Sequence, residues 1–197
     1  MKLTTSLPLS RSKKRGFTLI ELLIVITIIA TLAGMSFAAF TAVQAQAKKT
    51  QATAMIASIQ TAISNYFNEY GKYPVARGGA SAREGEIETA GTFLAILMGT
   101  DAGKKFNPRK IAFLEPKEAK EGFNGVTYAG TNPDSLTDPW GNPYWVIMDA
   151  NYDRKVKNPD ELNEGNSQWV NAGSIVWSTG PDAVSYTHLT LPTILRV

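Results

Sequence analysis

Residues 11–40, RSKKRGFTLIELLIVITIIATLAGMSFAAF, govern how the rest of this chain is read. Lys2, Arg11, Lys13, Lys14 and Arg15 all precede Gly16, and no acidic residue does. The 24 residues from Phe17 to Phe40 then hold a single charge, Glu21. About 20 apolar residues in helical form cross the hydrocarbon core of a bilayer, so the run has membrane length. A carboxylate within such a helix costs roughly 2.5–3.5 kcal/mol on insertion scales. A partner in an assembly would account for it, which makes Glu21 a candidate assembly residue.

Three readings of this segment compete. An ordinary secretory signal has an apolar region of about 7–15 residues followed by a small-residue cleavage site. The run here is longer, and cutting near Ala38-Ala39 or Ala45-Gln46-Ala47 would discard the Glu21 helix. A plain membrane anchor fits the length and leaves Glu21 unexplained. Cleavage after Gly16 keeps the whole helix on the mature chain.

The stretch Gly16-Phe17-Thr18-Leu19-Ile20-Glu21-Leu22-Leu23, with Lys13-Lys14-Arg15 before it, resembles the class III signal of type IV pilins and type II secretion pseudopilins. The resemblance implies that a prepilin peptidase removes a leader, residues 1–16, by cutting between Gly16 and Phe17. It also implies N-methylation of Phe17. In the family's filaments the helices stack in a central bundle, where Glu21 neutralises the α-amino group of Phe17 on a neighbouring subunit. A charge inside an apolar bundle is tolerable when paired and costly when alone.

The helical pattern runs on past Phe40. Residues 17–40 form its membrane and assembly half, and 41–70 an amphipathic half. Gln44, Gln46, Lys48, Lys49 and Gln51 stand among alanines and favour helix. Met55, Ile56, Ile59, Ile63, Phe67 and Tyr70 recur every three or four residues, a stripe on which a globular domain packs. Gly71 and Pro74 end the helix, as in the G-x-Y-P turn of pseudopilins. From Phe17 to Tyr70 this predicts about 80 Å of helix. Gly34 marks a bend, a melted turn or a close contact.

Residues 71–182 read as a small globular domain. A loop is expected over 75–92. A short helix through Phe93-Leu94-Ala95-Ile96-Leu97-Met98 follows, capped by Thr89 or Thr92 and closed by Gly99. The turn signals between 100 and 137 predict an irregular exposed insertion, with Ile111, Phe113 and Leu114 folded back on the core. Asp138-Pro139-Trp140-Gly141-Asn142-Pro143-Tyr144 matches a turn of the major pseudopilin of type II secretion, with Trp140 supplying apolar area. Strands are expected at Tyr144–Met148 and Ser174–Ser178, the second leading into W-S-x-G-P-D, again pseudopilin-like. Residues 183–197, including the one histidine, His188, depart from the family pattern and read as a non-native tail.

Asp149, Asn151 and Asp153 have the D-x-N-x-D spacing that opens a calcium loop. Arg154 stands where an EF-hand has glycine and no glutamate closes the loop, so a turn in a hairpin is the competing reading. Related major pseudopilins bind Ca²⁺ in a C-terminal loop, which keeps these residues as candidate ligands.

Composition narrows the function. There is no cysteine, which excludes disulfides, thiolate metal sites and cysteine nucleophiles. The formal charge of +3 comes from the leader, because the remaining fifteen bases face seventeen acids, a net of −2. No basic surface for nucleic acid is expected. No triad or phosphate loop points to an enzyme. The expected architecture is α+β and pilin-like, a long N-terminal helix packed on a small antiparallel sheet. The resemblance implies a single-pass inner-membrane precursor with its domain in the periplasm, then a subunit of a type II secretion pseudopilus. Its partners would be further copies of itself, minor pseudopilins, the prepilin peptidase and an inner-membrane assembly platform driven by a cytoplasmic ATPase. The secretin channel and exported proteins would be indirect partners. The alternative is a type IV pilus subunit serving adhesion, motility or DNA uptake.

Overall fold

The computed structural model describes residues 16–74, 85, 87–101, 106–149, 151–159 and 168–182, without the side chains of 35–39. The leader up to Arg15, most of the 75–92 loop and the tail from Ala183 with His188 lie outside the described residues. The chain divides into two compact units, Met1–Gln44 and Ala45–Val197, and helix α1 (Leu19–Tyr70) supplies residues to both.

In the first unit the helix begins two residues later than the sequence suggests, because Thr18 is its N-cap. The Leu22 N–H donates to the Thr18 carbonyl at 3.2 Å, the first bond of the helix. Thr27 and Thr31 donate their hydroxyls to the carbonyls of Ile24 and Ile28, at 2.8 and 2.9 Å. Such back-bonding satisfies the hydroxyls within an apolar helix. Gly34 is helical, and among the described residues no atom lies within 4 Å of where a Cβ would stand. Among the described residues no helix is long and apolar enough to cross a membrane.

In the second unit the later part of α1 forms one wall of the core. Ile56, Ile59, Ala62, Ile63 and Tyr66 are buried to within 1% of complete exclusion. Tyr66 belongs to this face although the expected stripe omitted it. Phe67, expected inside, is half-buried and packs instead against the ring of Tyr73, tilted by 37° with 4.9 Å between centroids. Gly71, at φ 65°, ends the helix as expected.

The remaining elements are β1 (Ile87–Glu88), α2 (Gly91–Met98), β2 (Gly125–Ala129), β3 (Asn132–Thr137), β4 (Tyr144–Met148), β5 (Val156–Lys157), β6 (Trp169–Val170) and β7 (Ser174–Ser178), closed by a 3₁₀ turn at Gly180–Asp182. β1, β4 and β7 form an antiparallel sheet in that order, with Tyr144 opposite Ser178 and Met148 opposite Ser174. β2 pairs with β3, and β5 with β6. Alternating side chains put Tyr144, Val146, Met148 and Val176 against α1 and α2. Ile147, Ile175 and Trp177 form a second cluster with Val156, Val170 and Ala172. A long helix with a small antiparallel sheet is the expected α+β pilin fold.

Two further expectations are corrected. The 100–137 region is not wholly irregular: β2 and β3 make a hairpin in which Val126 lies opposite Leu136, both fully buried. Its turn signals fall at the strand ends, where glycine and proline are tolerated. Phe113 and Leu114 do return to the core, their N–H groups donating to the Leu97 carbonyl. Second, α2 is capped by neither threonine. Its N-cap is Ala90, without a side-chain bond. The Thr89 hydroxyl donates instead to the Tyr144 carbonyl at 2.9 Å, tying the helix entrance to the sheet. Gly99 closes α2 as expected, at φ 72°, where an added Cβ would stand 2.8 Å from the Lys110 carbonyl oxygen.

Candidate functional site

Three groups of residues carry the functional expectations. In the first unit, Glu21 is bonded to Thr18. Its Oε2 accepts from the Thr18 N–H at 2.8 Å and from the Thr18 hydroxyl at 2.7 Å. The Glu21 N–H donates back to Thr18 Oγ1 at 3.3 Å. This is a capping box, in which two otherwise orphaned helix N–H groups are satisfied reciprocally. The T-x-x-E spacing that announces it was present in the sequence. Gly16 and Phe17 precede the helix in non-helical conformation, and Phe17 is exposed. The peptide bond between them is thus not locked inside secondary structure.

The second group is the turn from Asp138 to Tyr144. Asp138 is fully buried and organises it. Its Oδ1 accepts from the N–H groups of Trp140 and Asn142 at 2.8 and 2.9 Å. Its Oδ2 accepts from the Ser178 hydroxyl at 2.5 Å. The Asn142 side chain donates to the Gly180 carbonyl at 2.7 Å. The D-P-W-G-N-P-Y turn is thereby fastened to the W-S-x-G-P-D segment at the end of β7. Trp140, expected to anchor the turn, is only half-buried, and the buried carboxylate does that work. Gly141 has φ 94°, and a Cβ there would stand 2.9 Å from the Phe123 ring. Burial raises the Tyr144 phenol above its ordinary range, with the nearby Asp138 carboxylate adding to the effect.

The third group is Asp149, Asn151 and Asp153. Asp149, 3% exposed, accepts from the N–H groups of Asp153 and Arg154 at 3.1 and 2.7 Å. Asn151 Oδ1 accepts from the Asp153 N–H at 3.2 Å, and Asp153 Oδ1 from the Lys155 N–H at 2.8 Å. The oxygens are turned onto the backbone of their own loop, which is the arrangement of an Asx-type turn. Among the described residues no group of three or more His, Cys, Asp or Glu is placed to hold a metal ion. Tyr152, at φ 63°, stacks on Tyr73 with ring centroids 5.7 Å apart. Tyr73 is held above the usual phenol range by burial, then by Asp149 and Tyr152.

Comparison with known proteins gives the following. A family model described as a prokaryotic N-terminal methylation motif matches residues 11–37. The chain is 26% identical to the type IV major pilin protein PilE1 of Neisseria gonorrhoeae over 139 residues, 64% of this chain and 84% of that protein. It is 39% identical to the type IV major pilin protein PilA of Myxococcus xanthus (strain DK1622) over 61 residues, 31% of this chain and 28% of that protein. No solved structure matches.

Proposed function

Because the chain is a type IV pilin-like protein with a prepilin-type N-terminal signal, we propose that it is a non-catalytic filament subunit of a type II secretion pseudopilus. A prepilin peptidase cuts between Gly16 and Phe17 and methylates Phe17. The subunit is held in the inner membrane by α1 with its domain in the periplasm, and is then drawn into a filament by the assembly platform. Glu21 leaves its bond to Thr18 and pairs with the Phe17 amine of a neighbour. Minor pseudopilins complete the filament, which moves folded proteins toward the secretin.

The observation that supports secretion is the fully buried Asp138 joining D-P-W-G-N-P-Y to W-S-x-G-P-D through Ser178. A surface pilus subunit is the second reading, favoured by the match along 84% of a major pilin. Deleting the gene and restoring it as wild type or as Glu21→Ala separates the two. Secreted proteins are expected to vanish from the medium on deletion, with surface pili and twitching motility intact. Glu21→Ala is expected to be processed normally and to restore no secretion. Lost pili with undiminished secretion would overturn the secretion role.

A further inference from the structure

We propose that a groove between α1 and residues 113–116 seats the α1 helix of a second copy of this chain, placing that copy's Lys48 and Lys49 against Glu115. This rests on the filament reading above and names one contact within it. The groove encloses about 430 Å³ and lies wholly in the second unit. Its helix wall carries Met55, Ala57, Ser58 and Thr61. The Ser58 and Thr61 hydroxyls donate to the carbonyls of Ala54 and Ala57 at 2.9 and 2.8 Å. Beside the apolar Met55, that wall therefore offers small side chains whose donors are already used, a surface suited to helix approach rather than to a hydrogen-bonding small molecule. The opposite wall is fixed in advance. The N–H groups of Phe113 and Leu114 donate to the Leu97 carbonyl, and the Phe113 ring meets Tyr66 edge-on at 5.4 Å. Pro116 adds no N–H, and Glu115, an exposed residue, is the single charged side chain lining the groove among the described residues.

The occupant this slot fits is a helix with small side chains and a positive charge. This chain carries one. Lys48 and Lys49 are the only charged residues of α1 between Glu21 and Glu69, and they are flanked by Ala45-Gln46-Ala47 and Thr50-Gln51-Ala52. Both lysines are exposed. The ion pair found among the described residues joins Arg109 to Glu69, elsewhere on the domain. Each copy thus presents a basic pair on one surface and an acid on another. Such a heterologous contact does not close on itself as a two-fold dimer does, and where its rotation does not close a ring it propagates as an open filament. For parallel helices, bringing Lys49 level with Ser58 displaces the neighbour by about 13 Å along the helix axis.

Absence of native cysteine makes the contact directly testable. Lys49→Cys and Glu115→Cys are placed in separate copies, co-expressed during assembly and oxidised, while wild-type filaments are counted by electron microscopy. Disulfide-linked dimers are expected from the mixture and not from either variant alone. Charge reversal gives a second readout. Glu115→Lys is expected to lower filament yield about tenfold, and adding Lys48→Glu with Lys49→Glu in the same chain to restore it, as charge complementarity requires. Wild-type filaments whose mixed variants stay unlinked, with Glu115→Lys assembling normally, overturn the contact alone. If the wild type forms no filaments, the filament reading falls and this contact with it.

Discussion

Asp138 shows how much one buried carboxylate can hold. Three donors converge on it: two backbone N–H groups of its own turn and the Ser178 hydroxyl, 40 residues away in the chain. Removing the acceptor takes it from the buried Ser178 hydroxyl and from two half-buried N–H groups, and hydrogen bonds to a charged group contribute roughly 1.5–3 kcal/mol each. Asp138→Ala is therefore expected to cost at least about 3 kcal/mol in urea unfolding, and Asp138→Asn about half as much, since the amide oxygen can still accept. A loss below about 1 kcal/mol for the alanine variant would contradict this role. The turn itself was legible as a sequence motif, but its weight was assigned to Trp140. Local sequence cannot show that Ser178 arrives at the second oxygen. The Thr18–Glu21 box is the opposite case. Its spacing was readable, and the membrane-length run around it drew attention to partners outside the chain rather than three residues away.

At the scale of elements, α1 was legible because helical periodicity repeats over many turns and Gly71 supplies a stop. β4 and β7 were read at their observed bounds, since β-branched and aromatic residues dominate both. The β2–β3 hairpin was not, because its apolar residues are few and its turn residues many. Tyr66 on α1 allows the helix–domain packing to be followed by pH. Its hydroxyl donates to the Phe106 carbonyl at 2.7 Å, and burial chiefly pushes its pKa up to about 12. An unfolded tyrosine titrates near 10. The folded state thus favours the neutral phenol. That stability is fully present below about pH 10 and is lost as pH rises toward about 12. The urea midpoint is expected to fall across this window, and Tyr66→Phe to make the fall shallower. An identical alkaline profile for the variant would show that Tyr66 is not the group responsible.

For the whole chain, the described core closes with β7: Val176 joins the cluster formed by Ile56, Ile59 and Ile63. Gln60 on α1 donates to the Ser174 carbonyl across 114 residues of sequence. A chain ending at Asp182 keeps every described core residue, and its melting temperature is expected to stay within a few degrees of the full-length value. One ending at Gly173 lacks β7 and is expected to lose its cooperative thermal transition. A sharp transition in the shorter chain, followed by circular dichroism, would show that the domain closes without that strand. The same long tie sets an order in time. The apolar face of α1 leaves the ribosome first and its last cover more than one hundred residues afterwards. At about 5–20 residues per second the delay is on the order of 5–20 s. Until β7 follows, the cover that α2, the 113–114 segment and β4 lay over Ile56, Ile59, Ile63 and Tyr66 stays incomplete, and the young polypeptide carries an apolar seam open to other sticky surfaces.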